Sequence, residues 1–206
     1  MRAARLAKAV LFAGALVPAV LLAWALLRAP ERLGINPAET LQLETGIWAL
    51  RFLLATLAIT PIRRLTRWHR IIQFRRMLGL FAFFYACLHL MTYVVLDRYF
   101  DFSGVWEDIV KRPFITAGML AFVLMIPLAV TSTKGWIRRL GRQWQLLHRL
   151  VYFSATAACV HFIWKVKVPV GEPVYYAAIL GALLLFRVVY QFRRTGRMPA
   201  RRSADL

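Results

Sequence analysis

The chain is 206 residues long, with 60% hydrophobic and 18% charged residues, against about 45–50% and about 25% in an ordinary soluble domain. Its mean hydropathy is +0.57; a soluble fold of this size has too little interior for so much apolar side chain, so the bilayer is the solvent. Two cysteines rule out a disulfide-stapled module, and the net charge of +19 is assigned by its placement to topology, with no nucleic acid implied.

In chain order the apolar runs are Val10–Leu27, Leu41–Thr60, Met77–Leu96, Phe114–Val130, Trp144–Trp164 and Val174–Phe192. Each is near the roughly 20 residues that cross about 30 Å of hydrocarbon as a helix. None alternates polar and apolar residues as a barrel strand would. The expected fold is an all-α integral membrane protein, a six-transmembrane-helix bundle forming one domain over 1–206 with a basic tail at 193–206. Pro61, Pro113, Pro169 and Pro173 are expected to punctuate span ends, while Pro18 and Pro127 lie inside spans and kink them.

The loops give the orientation. Arg2, Arg5 and Lys8 precede the first span; Arg63, Arg64, Arg67, Arg70, Arg75 and Arg76 fill the second loop; Lys134, Arg138, Arg139 and Arg142 fill the fourth; Arg193, Arg194, Arg197, Arg201 and Arg202 fill the tail. The only acid among them is Asp205, whereas Glu31, Glu39, Glu44, Asp97, Asp101, Glu107, Asp108 and Glu172 stand in or beside the other three loops. This alternation is the positive-inside pattern and places both termini in the cytoplasm. A basic start before an apolar run also describes a signal peptide, but no small-x-small cleavage site follows Leu27, so the run is the first helix. No Gly-rich nucleotide fingerprint or P-loop is present, so cytosolic nucleotide chemistry belongs to another protein.

His69 sits in an Arg-rich loop and needs no function, but His89, His148 and His161 fall inside spans, where ionisable side chains are costly and usually functional. His89 precedes Asp97 by about 12 Å of helix and His161 precedes Lys165 by about 6 Å. The third and fifth helices run the same way, so two imidazoles at similar depth make a bis-histidine axial site for haem held between helices 3 and 5. Gly79, Ala82, Ala86 and His89 form one small-residue stripe, and Ala155, Ala158 and Cys159 precede His161; such stripes admit a porphyrin plane or merely pack helices. Arg51 interrupts the second span at that depth and is expected to meet a haem propionate, with snorkelling to headgroups as the alternative.

His148 lies about 20 Å along the helix from His161 and about 140° around it, so the two do not share an iron. It is placed to serve a second haem, a quinone or a flavin, yet the third helix offers Arg75 and Arg76 there and no histidine. Cys87 and Cys159 read as small apolar residues. Trp48, Trp68, Tyr99, Trp106, Trp136, Trp144, Trp164 and Tyr175 read as interfacial anchors. The third loop (Asp97, Asp101, Glu107, Asp108) is a candidate docking surface or a solvated loop.

The stretches GIWALRFLLATLAITPIRRL, FRRMLGLFAFFYACLHLMTYV, RPFITAGMLAFVLMIPLAVTS and LGRQWQLLHRLVYFSATAACVHFIWKVK resemble the MsrQ (YedZ) family over nearly the whole chain. That family, within the ferric-reductase-like transmembrane superfamily that includes the NADPH oxidases, is the haem-binding membrane subunit of a bacterial periplasmic methionine-sulfoxide reductase system. The resemblance implies haem b in a six-helix bundle of the inner membrane, with FMN as a further cofactor. It implies electrons from the quinone pool, or from a cytosolic flavin reductase, delivered to a periplasmic molybdopterin catalytic subunit that reduces protein-bound methionine sulfoxide. The family's haem-linked histidines map onto His89, His148 and His161; the wider superfamily often has two histidines on the third helix, and this chain has only His89 there.

The expected mechanism is electron transfer across the membrane, with bond-making chemistry left to the partner subunit. A stand-alone ferric reductase would need a separate dehydrogenase. A small transporter would need a polar pathway or an inverted repeat, and the sequence shows few intramembrane acids.

Overall fold

The computed structural model describes residues 2–166 and 171–195. The described residues form no strand, and six helical stretches are long and apolar enough to cross a membrane. The first two are α1 (Arg2–Arg28) and α2 (Pro37–Thr66). The third runs His69–Asp97, with α3 (Arg75–Thr92) between a 3-10 opening (His69–Phe74) and a π-helical last turn (Tyr93–Asp97). A short α4 (Phe102–Lys111) leads into α5 (Pro113–Val130), and α6 (Lys134–Leu140) follows it. The fifth span is broken at His148–Arg149 into α7 (Arg142–Leu147) and α8 (Leu150–Lys165), and α9 (Glu172–Thr195) is the sixth. Pro169, and Arg197, Arg201, Arg202 and Asp205 of the tail, lie outside the described residues.

Helix boundaries follow from local chemistry. The Asn36 side chain caps α2 by accepting the Glu39 N–H at 3.3 Å, and Pro37 takes the first helical position, where its missing N–H is not needed. Pro113 opens α5 in the same way. Pro61 departs from the expectation of a span end: it sits inside α2, which continues to Thr66. Proline leaves the carbonyl four residues back without its helical donor, and here Arg187 Nη2 of α9 donates to Leu57 O at 3.4 Å. A side chain from another span repairs the break.

The core is built where α2, α3, α5 and α8 meet, with Leu57, Ala82, Tyr85, Ser154 and Ala155 fully buried. The Tyr85 hydroxyl donates to Ala15 O at 2.7 Å and accepts from Ala19 N at 3.0 Å. These are the two groups an unbroken turn of α1 would pair, and Pro18 lies between them. Ser154 Oγ donates to Ala121 O at 2.9 Å and ties α8 to α5. Trp48, expected as an interfacial anchor, instead packs against Phe52 and Tyr85, with centroids 5.8 and 6.3 Å away.

The third loop is more ordered than its sequence suggested. Asp108 is buried, where it accepts from Tyr93 Oη at 2.6 Å, pairs with Arg98 and pairs with Arg112 Nε at 3.0 Å. Asp101 caps α4, accepting from Gly104 N at 3.0 Å and Ser103 Oγ at 2.8 Å. Two of the four acids of the candidate docking surface are thus spent on internal structure.

The Gly104 N–H, followed by the Ser103 hydroxyl, holds the Asp101 carboxyl below its ordinary value. A depressed carboxyl pKa contributes stability that is present above the unfolded value of about 3.9 and lost as pH falls through the lower folded value. Asp101→Ala is therefore expected to speed amide exchange across 102–105 at neutral pH, with Asp101→Asn close to wild type because asparagine also caps. In wild type the same amides should lose protection only in acid, below the ordinary carboxylate range.

Candidate cofactor site between the third and fifth spans

His89 on α3 and His161 on α8 face each other, with ring centroids 5.9 Å apart and ring planes crossed at 76°. His89 Nδ1 donates to Gln42 O at 2.8 Å, and His161 Nδ1 donates to Phe114 O at 2.6 Å. A carbonyl only accepts, so each Nδ1 carries the proton and each neutral ring keeps its lone pair on Nε2. That is the arrangement in which a metal-ligating histidine is fixed in tautomer and rotation by its other nitrogen.

Glycines let the rings come so close to the neighbouring helices. A Cβ at Gly46 would stand 3.0 Å from His89 Nδ1 and Cε1, and one at Gly118 would stand 2.7 Å from His161 Nδ1. Each glycine is the fourth residue after the carbonyl that its histidine bonds, so one turn of α2 and one turn of α5 form equivalent seats. The equivalence is an internal repeat. One constant interval separates Gln42 from Phe114, Gly46 from Gly118 and His89 from His161, and Ala-Cys-Leu-His at 86–89 recurs as Ala-Cys-Val-His at 158–161. These glycines were not among the residues that spacing singled out, although the repeated tetrapeptide was there to signal them.

The rings border a cavity of about 550 Å³ at the end of the bundle that carries the acidic residues, within the range that cofactors and drug-sized ligands occupy. Leu50, Leu53, Phe122 and Met125 give it apolar walls, Ala86 and Ala158 leave it room, and Arg112 and Lys165 supply cations at its rim. The small-residue stripe of α3 therefore divides. Ala86 and His89 face the cavity, whereas a Cβ on Gly79 would meet Thr56 of α2 at 3.6 Å.

Arg51 does not line this cavity. Its Nε donates to Tyr176 Oη on α9 at 2.8 Å, and its guanidinium lies 4.8 Å from the Trp48 ring centroid. The cations that do reach the cavity, Arg112 and Lys165, were counted in the sequence only as loop charges.

His148 is apart from this site. Its Nε2 is 3.1 Å from Thr131 Oγ1, and its ring stacks on Trp144 at 3.9 Å. Trp144 Nε1 in turn donates to Thr131 O at 3.0 Å, so the end of α5 is tied to the break in the fifth span. The residue related to His148 by the repeat is Arg76.

Among the described residues no cluster of three or more His, Cys, Asp or Glu side chains could hold a metal ion. What the site offers is two Nε2 lone pairs across an apolar slot. These residues would suit a metal-bearing cofactor that takes two imidazole nitrogens, chemistry that a haem iron supplies.

Residues 45–159 match the family described as ferric reductase like transmembrane component, which defines the class: a helical membrane unit of that type. A relative from Herminiimonas arsenicoxydans, described as a protein-methionine-sulfoxide reductase heme-binding subunit MsrQ, is 48% identical over 198 residues, covering 95% of this chain and 90% of that protein. A protein of the same description from Rhodospirillum rubrum is 52% identical over 171 residues, 82% of each chain, and one from Azospira oryzae is 48% identical over 94% of this chain and 83% of its own. No solved structure matches the chain. The chain belongs to the MsrQ family.

The seats make a packing prediction. Gly118→Ala is expected to destabilise by about 1–3 kcal/mol through overpacking, Gly46→Ala by less, and Gly79→Ala hardly at all, since its contact is ordinary. Denaturation by SDS titration of the purified chain checks the order; a Gly118→Ala variant as stable as Gly79→Ala would show that the His161 ring is free to move.

Proposed function

We propose that this chain is the haem-binding, electron-transferring membrane subunit of a protein-methionine-sulfoxide reductase system, with haem b ligated by His89 and His161. The observation that carries this reading is the pair of Nδ1-anchored imidazoles facing one another across a single apolar cavity. His89 and His161 would hold the haem, which would supply a one-electron couple.

The chain's own residues do the rest. The Gln42 and Phe114 carbonyls hold both histidines as Nδ1–H tautomers and raise their basicity as ligands. Leu50, Leu53, Phe122 and Met125 exclude water. Arg112 and Lys165 would hold a propionate-bearing cofactor by its carboxylates, and Lys165 is the freer of the two because Arg112 also pairs with Asp108. The task first given to Arg51 passes to these two side chains.

The remaining parts of the reading rest on family resemblance. The donor is the quinone pool or a cytosolic flavin reductase at the basic end, FMN is a further cofactor, and the acceptor is a periplasmic molybdopterin catalytic subunit in which the sulfoxide is reduced. The alternation of basic and acidic loops supports an inner-membrane orientation with both termini cytoplasmic. His148 has no histidine across from it, which supports one bis-histidine haem.

Haem quantitation with a reduced-minus-oxidised spectrum tests the ligand set. His89→Ala and His161→Ala are expected to lose the low-spin b spectrum and His148→Ala to keep it; a His161→Ala variant with the spectrum intact would sink the assignment. Lys165→Gln should lower the haem midpoint potential, because a nearby cation favours the form with the added electron.

A further inference from the structure

The basic end of the bundle holds a half-buried cluster of arginines with no acid among the described residues to answer it. Arg187 is in the interior of α9, roughly 9 Å along the helix from Arg193. Its Nη1 donates to Tyr152 Oη, its Nη2 donates to Leu57 O at 3.4 Å, and its guanidinium lies 4.7 Å from the Tyr152 ring centroid. The Nε atom is buried without a hydrogen-bond partner. Arg187 stands within electrostatic reach of Arg75 and Arg64, Arg75 within reach of Arg63, and His148 within reach of Arg75. Arg64 lies over the Tyr190 ring at 3.6 Å.

Arginines from α2, α3 and α9 thus lie near one another beside His148 at the break before α8, while every described carboxylate stands at or toward the opposite end of the bundle. The Leu57 carbonyl and the Tyr152 and Tyr190 rings supply only partial charges. Like charges drawn together out of water repel strongly, and an intramembrane arginine normally has a named partner. Guanidinium donors on several elements match the several acceptor oxygens of a phosphate, which a single carboxylate would not saturate.

We infer that Arg187, Arg75 and Arg64 form a binding site for a phosphate group entering from the basic end, carried either by a flavin mononucleotide or by an anionic phospholipid headgroup. The site lies beside His148 and at the other end of the bundle from the His89–His161 cavity, so it stands or falls separately from the haem reading.

The test uses the purified full chain. Flavin fluorescence follows titration with FMN and with riboflavin, which lacks the phosphate, and mass spectrometry reads phospholipid retained after exposure to phosphatidylglycerol or phosphatidylcholine vesicles. Arg187→Gln and Arg75→Gln are expected to weaken one of these by at least about tenfold, the loss of a hydrogen bond to a charged group, with Arg187→Lys in between and the exposed Arg142→Gln unchanged. FMN binding that riboflavin does not share assigns the phosphate to the flavin; selective retention of phosphatidylglycerol assigns it to lipid. If Arg187→Gln fails to fold, Arg75→Gln decides. FMN affinity and lipid retention both unchanged in the variants would overturn the inference.

Discussion

The cavity end of the bundle is arranged around two hydrogen bonds, from His89 Nδ1 to Gln42 O and from His161 Nδ1 to Phe114 O. Imidazole is neutral, yet it carries a donor that hydrocarbon cannot satisfy, and leaving it unmade costs more than the bond itself contributes. Handing that donor to a helix carbonyl requires the ring to lie almost on the neighbouring backbone, which is why the residue one turn further on is Gly46 in one case and Gly118 in the other. With the donor so placed, the only chemistry left to each ring is the Nε2 lone pair. The lone pairs then share one apolar cavity whose rim alone is charged.

Much of this was legible in the sequence because it rests on periodicity and depth. Span count, the small residues beside the ligands and the levels of His89 and His161 all follow from 1.5 Å per residue and the charge alternation of the loops. Arg51 was misjudged for a reason that spacing does not reveal. Depth places it beside the cavity, but rotation about the helix axis and a hydroxyl on α9, 125 residues away, turn it elsewhere. Pro61 was misread similarly: proline ends a helix unless another element supplies the missing donor, and Arg187 is distant in sequence. Arg187 itself escaped notice because the charge reading weighed loops, whereas this guanidinium is inside a span.

The repeat explains why one end of the bundle is symmetric and the other is not. At the acidic end, corresponding residues of the two halves are a carbonyl, a glycine and an Ala-Cys-x-His turn, so the halves present the same side chain in the same tautomer. At the basic end the correspondence fails: Arg76 stands where the other half has His148, and the latter is occupied with Thr131 and Trp144. The repeat therefore accounts for the paired imidazoles of the cavity and for nothing at the other end.

That asymmetry has an electrostatic consequence. The described carboxylates lie toward the cavity end, two of them, Asp108 and Glu107, paired locally by Arg98, Arg112 and Lys111, whereas Arg187 is within electrostatic reach of Arg64 and Arg75, and Arg75 of Arg63, with no described acid beside them. Buried positive charge stabilises any group that gains an electron or carries an anion nearby, and its reach is long where water is excluded. An anion at the basic end would therefore be held by charge, and a group in the histidine cavity by shape and lone pairs. The two ends of the bundle thus differ in chemistry, with half-buried arginines at one and two imidazoles on an apolar cavity at the other.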